Sequence, residues 1–121
     1  MPQISVDYSA HLAGSFDRQA FGLALNALTV KTIAATPEAC KTRFRQVEES
    51  VVGERVAPHA LVFVEFQIFP GRSAEAKAEL SEAVLALVAE HLAPAPGEPL
   101  HAAVNVVDID RGSYRGVTLA G

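Results

Sequence analysis

The stretch ALVFVEFQIFPGRSAEA, residues 60–76, contains a complete transition from a strand to a helix. Residues 60–69 are the most strand-like run in the chain, with apolar side chains on both faces, which predicts a strand in the centre of a sheet. Residues 70–72, Pro-Gly-Arg, are typical of a turn. Ser73 is a good helix N-cap and precedes an apolar stripe at helical spacing. The stripe consists of Ala76, Leu80, Val84, Leu87, Val88 and His91.

Three other segments also have strand patterns. Residues 3–8 alternate between apolar and polar side chains, as a half-buried strand does. Residues 41–49 alternate with Lys41, Arg43, Arg45 and Val47 on one face. Residues 100–109 follow a proline-rich connector and predict the last strand.

A second helix is predicted early in the chain. Ser15 or Asp17 can cap it, and the apolar residues of the segment 16–34 run almost all the way round the helix. A helix that is apolar on more than one side needs more than one partner surface.

The predicted order is therefore βαβ followed by βαβ within a single domain of 121 residues. The two units span about residues 1–52 and 58–110, and residues 111–121 form a polar tail. Two arrangements fit this order. Each unit can be a parallel crossover, with the two units paired pseudo-symmetrically, or the elements can form a ferredoxin-like antiparallel sheet that dimerises.

Composition excludes several classes of protein. The ten Lys and Arg against fourteen Asp and Glu give a net charge of −4, and no basic run indicates a nucleic-acid partner. Apolar stretches such as residues 60–64 are far shorter than the roughly 20 residues that cross a membrane. The single cysteine, Cys40, cannot form an internal disulfide and is expected to be a small, partly buried residue before a strand. We expect a cytoplasmic protein without a membrane partner.

The first residues contain a candidate base. Met1 precedes Pro2, a small residue after which methionine is normally removed, and the first strand starts at the next residue. Removal of Met1 would leave a secondary amine at a fixed place on the sheet. An α-amino group has a reference pKa of about 7.7–8.0, and although a prolyl amine lies higher, burial or nearby cations lower it toward neutrality. Such an amine can act as a general base.

Several segments together resemble the tautomerase superfamily and, within it, the 5-carboxymethyl-2-hydroxymuconate isomerase family. The likeness covers nearly the whole chain. The segments are Pro2 leading into residues 4–8, Lys41–Thr42–Arg43 at a strand start, Phe69–Pro70–Gly71–Arg72–Ser73, the helix that follows up to Leu92, and Ser113–Tyr114–Arg115 in the tail.

The resemblance implies an α/β (α+β) fold of two parallel βαβ units, which favours the first arrangement, and a homotrimer in which the segment 16–34 packs. It also implies a cofactor-independent isomerase of aromatic-compound catabolism that moves a proton in an unsaturated keto acid. Pro2 would be the base, Arg72 would hold a carboxylate or the dienolate, and Lys41 and Arg43 would bind the carboxylate substrate. The family usually has arginine where this chain has Lys41, which keeps the charge but loses bidentate recognition, so the substrate stays open.

Other classes of function are less well matched. The four histidines lack the spacing of metal ligands, and the chain has no phosphate-binding loop or nucleophile motif, so we expect no metal and no cofactor. A decarboxylase or a hydratase-like dehalogenase acting on a small acid stays open, since related scaffolds host both. So does a non-catalytic trimeric binding or scaffold protein with a decayed site, which a retained Met1 would favour.

Overall fold

The computed structural model describes all residues from 1 to 121 and contains four strands and two α-helices. Their order along the chain is β1 (Gln3–Ser9), α1 (Arg18–Ile33), β2 (Lys41–Val47), β3 (Ala60–Ile68), α2 (Ala74–His91) and β4 (Leu100–Asp108). The elements agree with the sequence prediction, and the bounds of the strands differ from it by one or two residues.

The strands form one mixed sheet in the order β2-β1-β3-β4. β1 is parallel to β2, and β3 is parallel to β4, so each half of the chain is a parallel βαβ unit. β1 and β3 pair antiparallel in the middle, with Gln3 opposite Gln67. The sequence prediction of two paired βαβ units with a central β3 is therefore confirmed, and the chain does not adopt the ferredoxin-like arrangement.

Both helices lie on one face of the sheet, and the core forms between them and that face. Alternate side chains of the two central strands point into it and are at most 5% exposed. They are Ile4, Val6, Tyr8, Val62, Val64 and Phe66. The opposite face of the sheet has no helix over it, and there Phe63 is 39% exposed. Of the two apolar faces predicted for β3, one is buried within the chain and the other lies open.

Each helix begins at a side-chain cap. Asp17 accepts a hydrogen bond from the backbone N–H of Ala20 at 3.0 Å, and Ser73 accepts one from Ala76 at 3.1 Å. Phe16, just before the first cap, packs edge-on against Phe21 with 5.4 Å between the ring centroids, which fixes the entry into α1. Neither helix is long and apolar enough to cross a membrane.

The chain covers only part of the apolar surface of α1. Phe21, Leu25 and Ile33 are buried against the sheet and α2, whereas Leu23 is 74% exposed. The expectation that this helix packs inside a trimer stays a prediction.

Candidate active site

One end of the sheet brings together segments that are far apart in the sequence. β1 and β2 start at this end, and β3 and β4 finish there, because β1 and β3 are antiparallel. Pro2, Lys41, the turn at residues 69–73 and the tail after Asp108 therefore lie at the same end. We call it the active end.

Pro2 is fixed in the sheet and is less than 2% exposed. Its carbonyl accepts a hydrogen bond from the backbone N–H of Lys41 at 3.1 Å, which continues the β1–β2 pairing by one residue. Met1 is only partly buried and lies in the wall of a cavity. With Met1 attached, the nitrogen of Pro2 is part of a peptide bond and has no basicity.

The cavity at the active end has a volume of about 530 Å³. The amino terminus, Lys41 and Arg115 give it positive charge, and no aspartate or glutamate lines it. The lining residues are Met1, Gln3, Lys41, Tyr114, Arg115, Gly116, Val117 and Thr118. The cavity is therefore suited to an anion.

The amino group at Met1 is perturbed by this environment. Burial lowers its pKa below the ordinary value, and the charge of Lys41 lowers it further, while the neighbouring Cys40 acts in the opposite direction. Cys40 itself is buried just before β2, as predicted, and burial raises the pKa of its thiol. An amine at this place therefore loses its proton more readily than in solution.

The cations of the active end are held by neutral groups. Lys41 Nζ donates to the carbonyls of Glu38 and Ala39 at 3.1 and 3.3 Å, and Arg43 donates to the side-chain oxygen of Gln3. Arg115 donates to the carbonyls of Gly112 and Tyr114. Because no carboxylate pairs with Lys41, Arg43 or Arg115, their charge stays available to a ligand.

Arg72 lies in the turn between β3 and α2, and this turn requires glycine at position 71. Gly71 has a φ of 129°, which residues with a side chain rarely adopt. Arg72 Nη2 donates to the carbonyl of Ile33 at 2.8 Å, at the C-terminus of α1. A cation is unfavourable at the start of α2 but favourable at the end of α1, so the partner explains its position.

The structure brings the predicted site residues together only in part. Lys41 is hydrogen-bonded to Pro2 and lines the cavity, whereas Arg43 contacts Gln3 and does not line it. Arg72 lies at the same end, but it does not line this cavity, and its hydrogen bond goes to α1. Its role toward substrate stays a prediction.

Two residues of the active end were not predicted as site residues. Gln3 Nε2 donates to the hydroxyl of Tyr114 at 3.2 Å, and both side chains line the cavity. The Tyr114 ring packs edge-on against Phe69 with 5.5 Å between centroids. The sequence signal was the run Ser113–Tyr114–Arg115, which resembles the family's tail, but the partner of Tyr114 lies 111 residues away.

Replacing Arg72 with alanine tests its contact with α1. Arg72→Ala is expected to lower the free energy of unfolding by about 1–2 kcal/mol, because a charged donor to the end of a helix is lost. Urea denaturation measures the change. Arg55→Ala is the control, since Arg55 is exposed and its side chain makes no hydrogen bond. Equal stability of the two variants would contradict a capping role for Arg72.

Comparison with known proteins agrees with this fold. The family model of 5-carboxymethyl-2-hydroxymuconate isomerase matches residues 2–113. The crystal structure of such an isomerase from Deinococcus radiodurans R1 has a TM-score of 0.83 at 20% identity, covering 98% of this chain and 90% of that one. A 5-carboxymethyl-2-hydroxymuconate delta-isomerase has a TM-score of 0.78 at 12% identity, with coverages of 98% and 88%.

A fused 4-OT described as a wild-type symmetric trimer has a TM-score of 0.77 at 18% identity, covering 96% of this chain and 93% of that one. No curated protein matches the chain. These structural likenesses show the fold, and the family model spans almost the whole sequence. The chain therefore belongs to the 5-carboxymethyl-2-hydroxymuconate isomerase family and is an isomerase.

Proposed function

We propose that the protein moves a proton between carbon and oxygen, or along conjugated carbons, in an unsaturated 2-oxo or 2-hydroxy carboxylic acid such as 5-carboxymethyl-2-hydroxymuconate. Pro2 is the general base once Met1 has been removed. The reaction needs no cofactor, because the same group takes the proton and returns it. The main support is the position of the amino terminus beside cations that no carboxylate neutralises.

Removal of Met1 changes the chemistry of Pro2 in two ways. The amide nitrogen becomes a secondary amine, and the residue that covers it in the cavity wall is lost. The new amine keeps its place because the carbonyl of Pro2 stays bonded to the N–H of Lys41. Burial and Lys41 lower the pKa of an amine here, which favours the neutral form that acts as a base.

Ketonisation of an enol runs through the following steps in reverse, with the proton taken from the 2-hydroxyl and returned to carbon. In the keto-to-enol direction, the neutral Pro2 amine takes a proton from a carbon next to the substrate carbonyl. The electron pair of the broken C–H bond moves into the conjugated system and places negative charge on the carbonyl oxygen. Lys41 and Arg43 attract the carboxylate, and Arg72 stabilises negative charge with N–H groups that Ile33 does not use. The Pro2 ammonium then returns the proton to another carbon or to oxygen, so the protein ends unchanged.

Replacing the proline tests the base directly. With protein whose amino terminus is Pro2, phenylenolpyruvate or a 2-hydroxymuconate-type acid is expected to ketonise faster than in buffer. Pro2→Ala replaces the secondary amine with a primary one and is expected to reduce kcat by about a hundredfold, because the new amine lacks the ring that fixes its position. The absorbance of the enol follows the reaction.

The mass of the intact protein is the necessary companion measurement. If Met1 is absent from native-source protein and Pro2→Ala has the wild-type rate, the reaction does not need the secondary amine of Pro2. If Met1 is retained in the dominant species, the proposed mechanism is wrong and the non-catalytic reading gains support.

Removing the charge of Lys41 tests the electrostatic argument. Lys41→Gln is expected to raise the pKa of the amine, since a nearby positive charge disfavours the protonated form. The base works above its pKa and fails below it, so the acidic limb of the kcat/KM profile should move to higher pH. Lys41→Arg should keep the limb in place.

The control for this experiment is Arg55→Gln, which removes a positive charge in the exposed loop at the opposite end of the sheet. It should leave the profile unchanged. If the acidic limb of the kcat/KM profile of Lys41→Gln stays in place or moves to lower pH, Lys41 does not lower the pKa of the base.

We further propose that the protein is a homotrimer and that the open face of the sheet lies in the interface. Solved structures of similar fold include symmetric trimers. In the single chain, this face leaves Phe63 39% exposed at a central strand. A second copy of the chain would cover that apolar surface.

Light scattering tests the assembly. The wild type should have three times the mass of the chain, and Phe63→Glu should shift it toward the monomer, because burying a carboxylate against apolar surface is costly. Leu85→Glu is the matched control: Leu85 is also 39% exposed but lies on α2. A dimer, or equal effects of the two variants, would contradict the proposed interface.

A further inference from the structure

At the active end, the hydroxyl of Tyr114 donates no hydrogen bond to the protein. Its hydroxyl oxygen accepts a hydrogen bond from Gln3 Nε2 at 3.2 Å, and the hydroxyl donates to no protein atom. A tyrosine hydroxyl can accept and donate at once, so its donor is available to a ligand. The side chain lines the same cavity as Met1 and Lys41.

The position of Tyr114 is fixed from three directions. Its backbone N–H donates to the carbonyl of Asp110 at 3.2 Å, and its ring packs edge-on against Phe69 at an interplanar angle of 88°. The guanidinium of Arg111 lies over the Phe69 ring, 4.2 Å from its centroid. Gln3 fixes the hydroxyl itself. The donor therefore needs little reorganisation when a ligand binds.

The space beside the hydroxyl is open to a ligand. Gly116 lines the cavity, and a Cβ at this position would lie 3.5 Å from the Tyr114 hydroxyl. Because residue 116 is glycine, no side chain separates the Tyr114 hydroxyl from the cavity.

We infer that Tyr114 is a catalytic residue that donates a hydrogen bond to the carbonyl oxygen of a bound 2-oxo acid, and that Gln3 is the positioning residue that orients it. This inference rests on the proposed function. When Pro2 removes the proton from carbon, charge develops on that oxygen, and a fixed O–H donor stabilises it. The hydrogen bond strengthens as charge develops, so its main effect is on kcat rather than KM.

Removing the hydroxyl tests the first half of the inference. Tyr114→Phe is expected to lower kcat by about a hundredfold, as loss of one oxyanion donor does, with little change in KM. Tyr8→Phe is the matched control: it removes the other tyrosine hydroxyl of the chain, which donates to Gln46 away from the active end. If the wild type is active and both variants retain its kcat, the inference is wrong although the proposed function stands.

Reversing the hydrogen bond tests the role of Gln3. In Gln3→Glu the carboxylate keeps the contact with Arg43 but accepts a hydrogen bond from the Tyr114 hydroxyl. The hydroxyl then has no proton left to donate to the ligand. At a pH above the acidic limb, the kcat of Gln3→Glu should fall as it does in Tyr114→Phe. The kcat of the double variant, which carries both substitutions, should be only slightly lower. A carboxylate that acts only through its charge would lower kcat equally in the wild-type and Tyr114→Phe backgrounds, so fully additive losses would contradict the orienting role.

A binding measurement separates this inference from the proposed function. The chain has no tryptophan, so in Tyr8→Phe the tyrosine ultraviolet spectrum comes from Tyr114 alone. Oxamate has a carboxylate and a carbonyl oxygen but no carbon-bound hydrogen to abstract. A saturable spectral change on adding oxamate supports the contact even if the wild type proves inactive, and an unchanged spectrum overturns the inference.

Discussion

The antiparallel pairing of β1 with β3 is the constraint on which the site depends. It joins the two βαβ units, and its register places Gln3 opposite Gln67. The start of β1 and the turn after β3 therefore lie at the same end of the sheet, although they are nearly 70 residues apart. A shift of one residue would turn the buried side chains of β1 to the open face, so the buried Ile4 and Val6 also hold Pro2 in place.

Two contacts between distant segments complete the active end. Arg72 binds the carbonyl of Ile33 across 39 residues, and Gln3 binds Tyr114 across 111. Each contributes only about 1–2 kcal/mol, little compared with burial of the core. Their main effect is positional: one fixes the turn against α1, and the other fixes the tail against the start of β1.

The sequence predicted the elements well because local physics determines them. Alternation of apolar residues located β1 and β3, and Ser73 and the turn before it located the start of α2. The end of β2 was placed two residues late, since Glu48 continues the polar alternation after hydrogen bonding to β1 has ended at Val47. Such a boundary depends on the partner strand, which the pattern of one segment does not contain.

The site was less predictable for the same reason. Pro2 and Arg72 stood out by residue type and by the family resemblance, but the partner of Arg72 is a backbone carbonyl, which has no sequence signature. Tyr114 lies in a tail without regular structure, and only the end of β4 and the turn at Asp110 bring it to Gln3. Sequence patterns thus indicate the chemistry of single residues, while the sheet register determines which of them meet.

The internal duplication produces one cavity suited to an anion rather than two. In the second unit, the register makes His59 the counterpart of Pro2 and Leu100 the counterpart of Lys41, at the opposite end of the sheet. The cavity there, of about 500 Å³, is lined by Glu48, Glu49 and Glu98 and by no lysine or arginine. An anion is therefore attracted to one end and repelled from the other. The two units share a backbone plan, but only the cavity beside Lys41 has the charges that suit an anion.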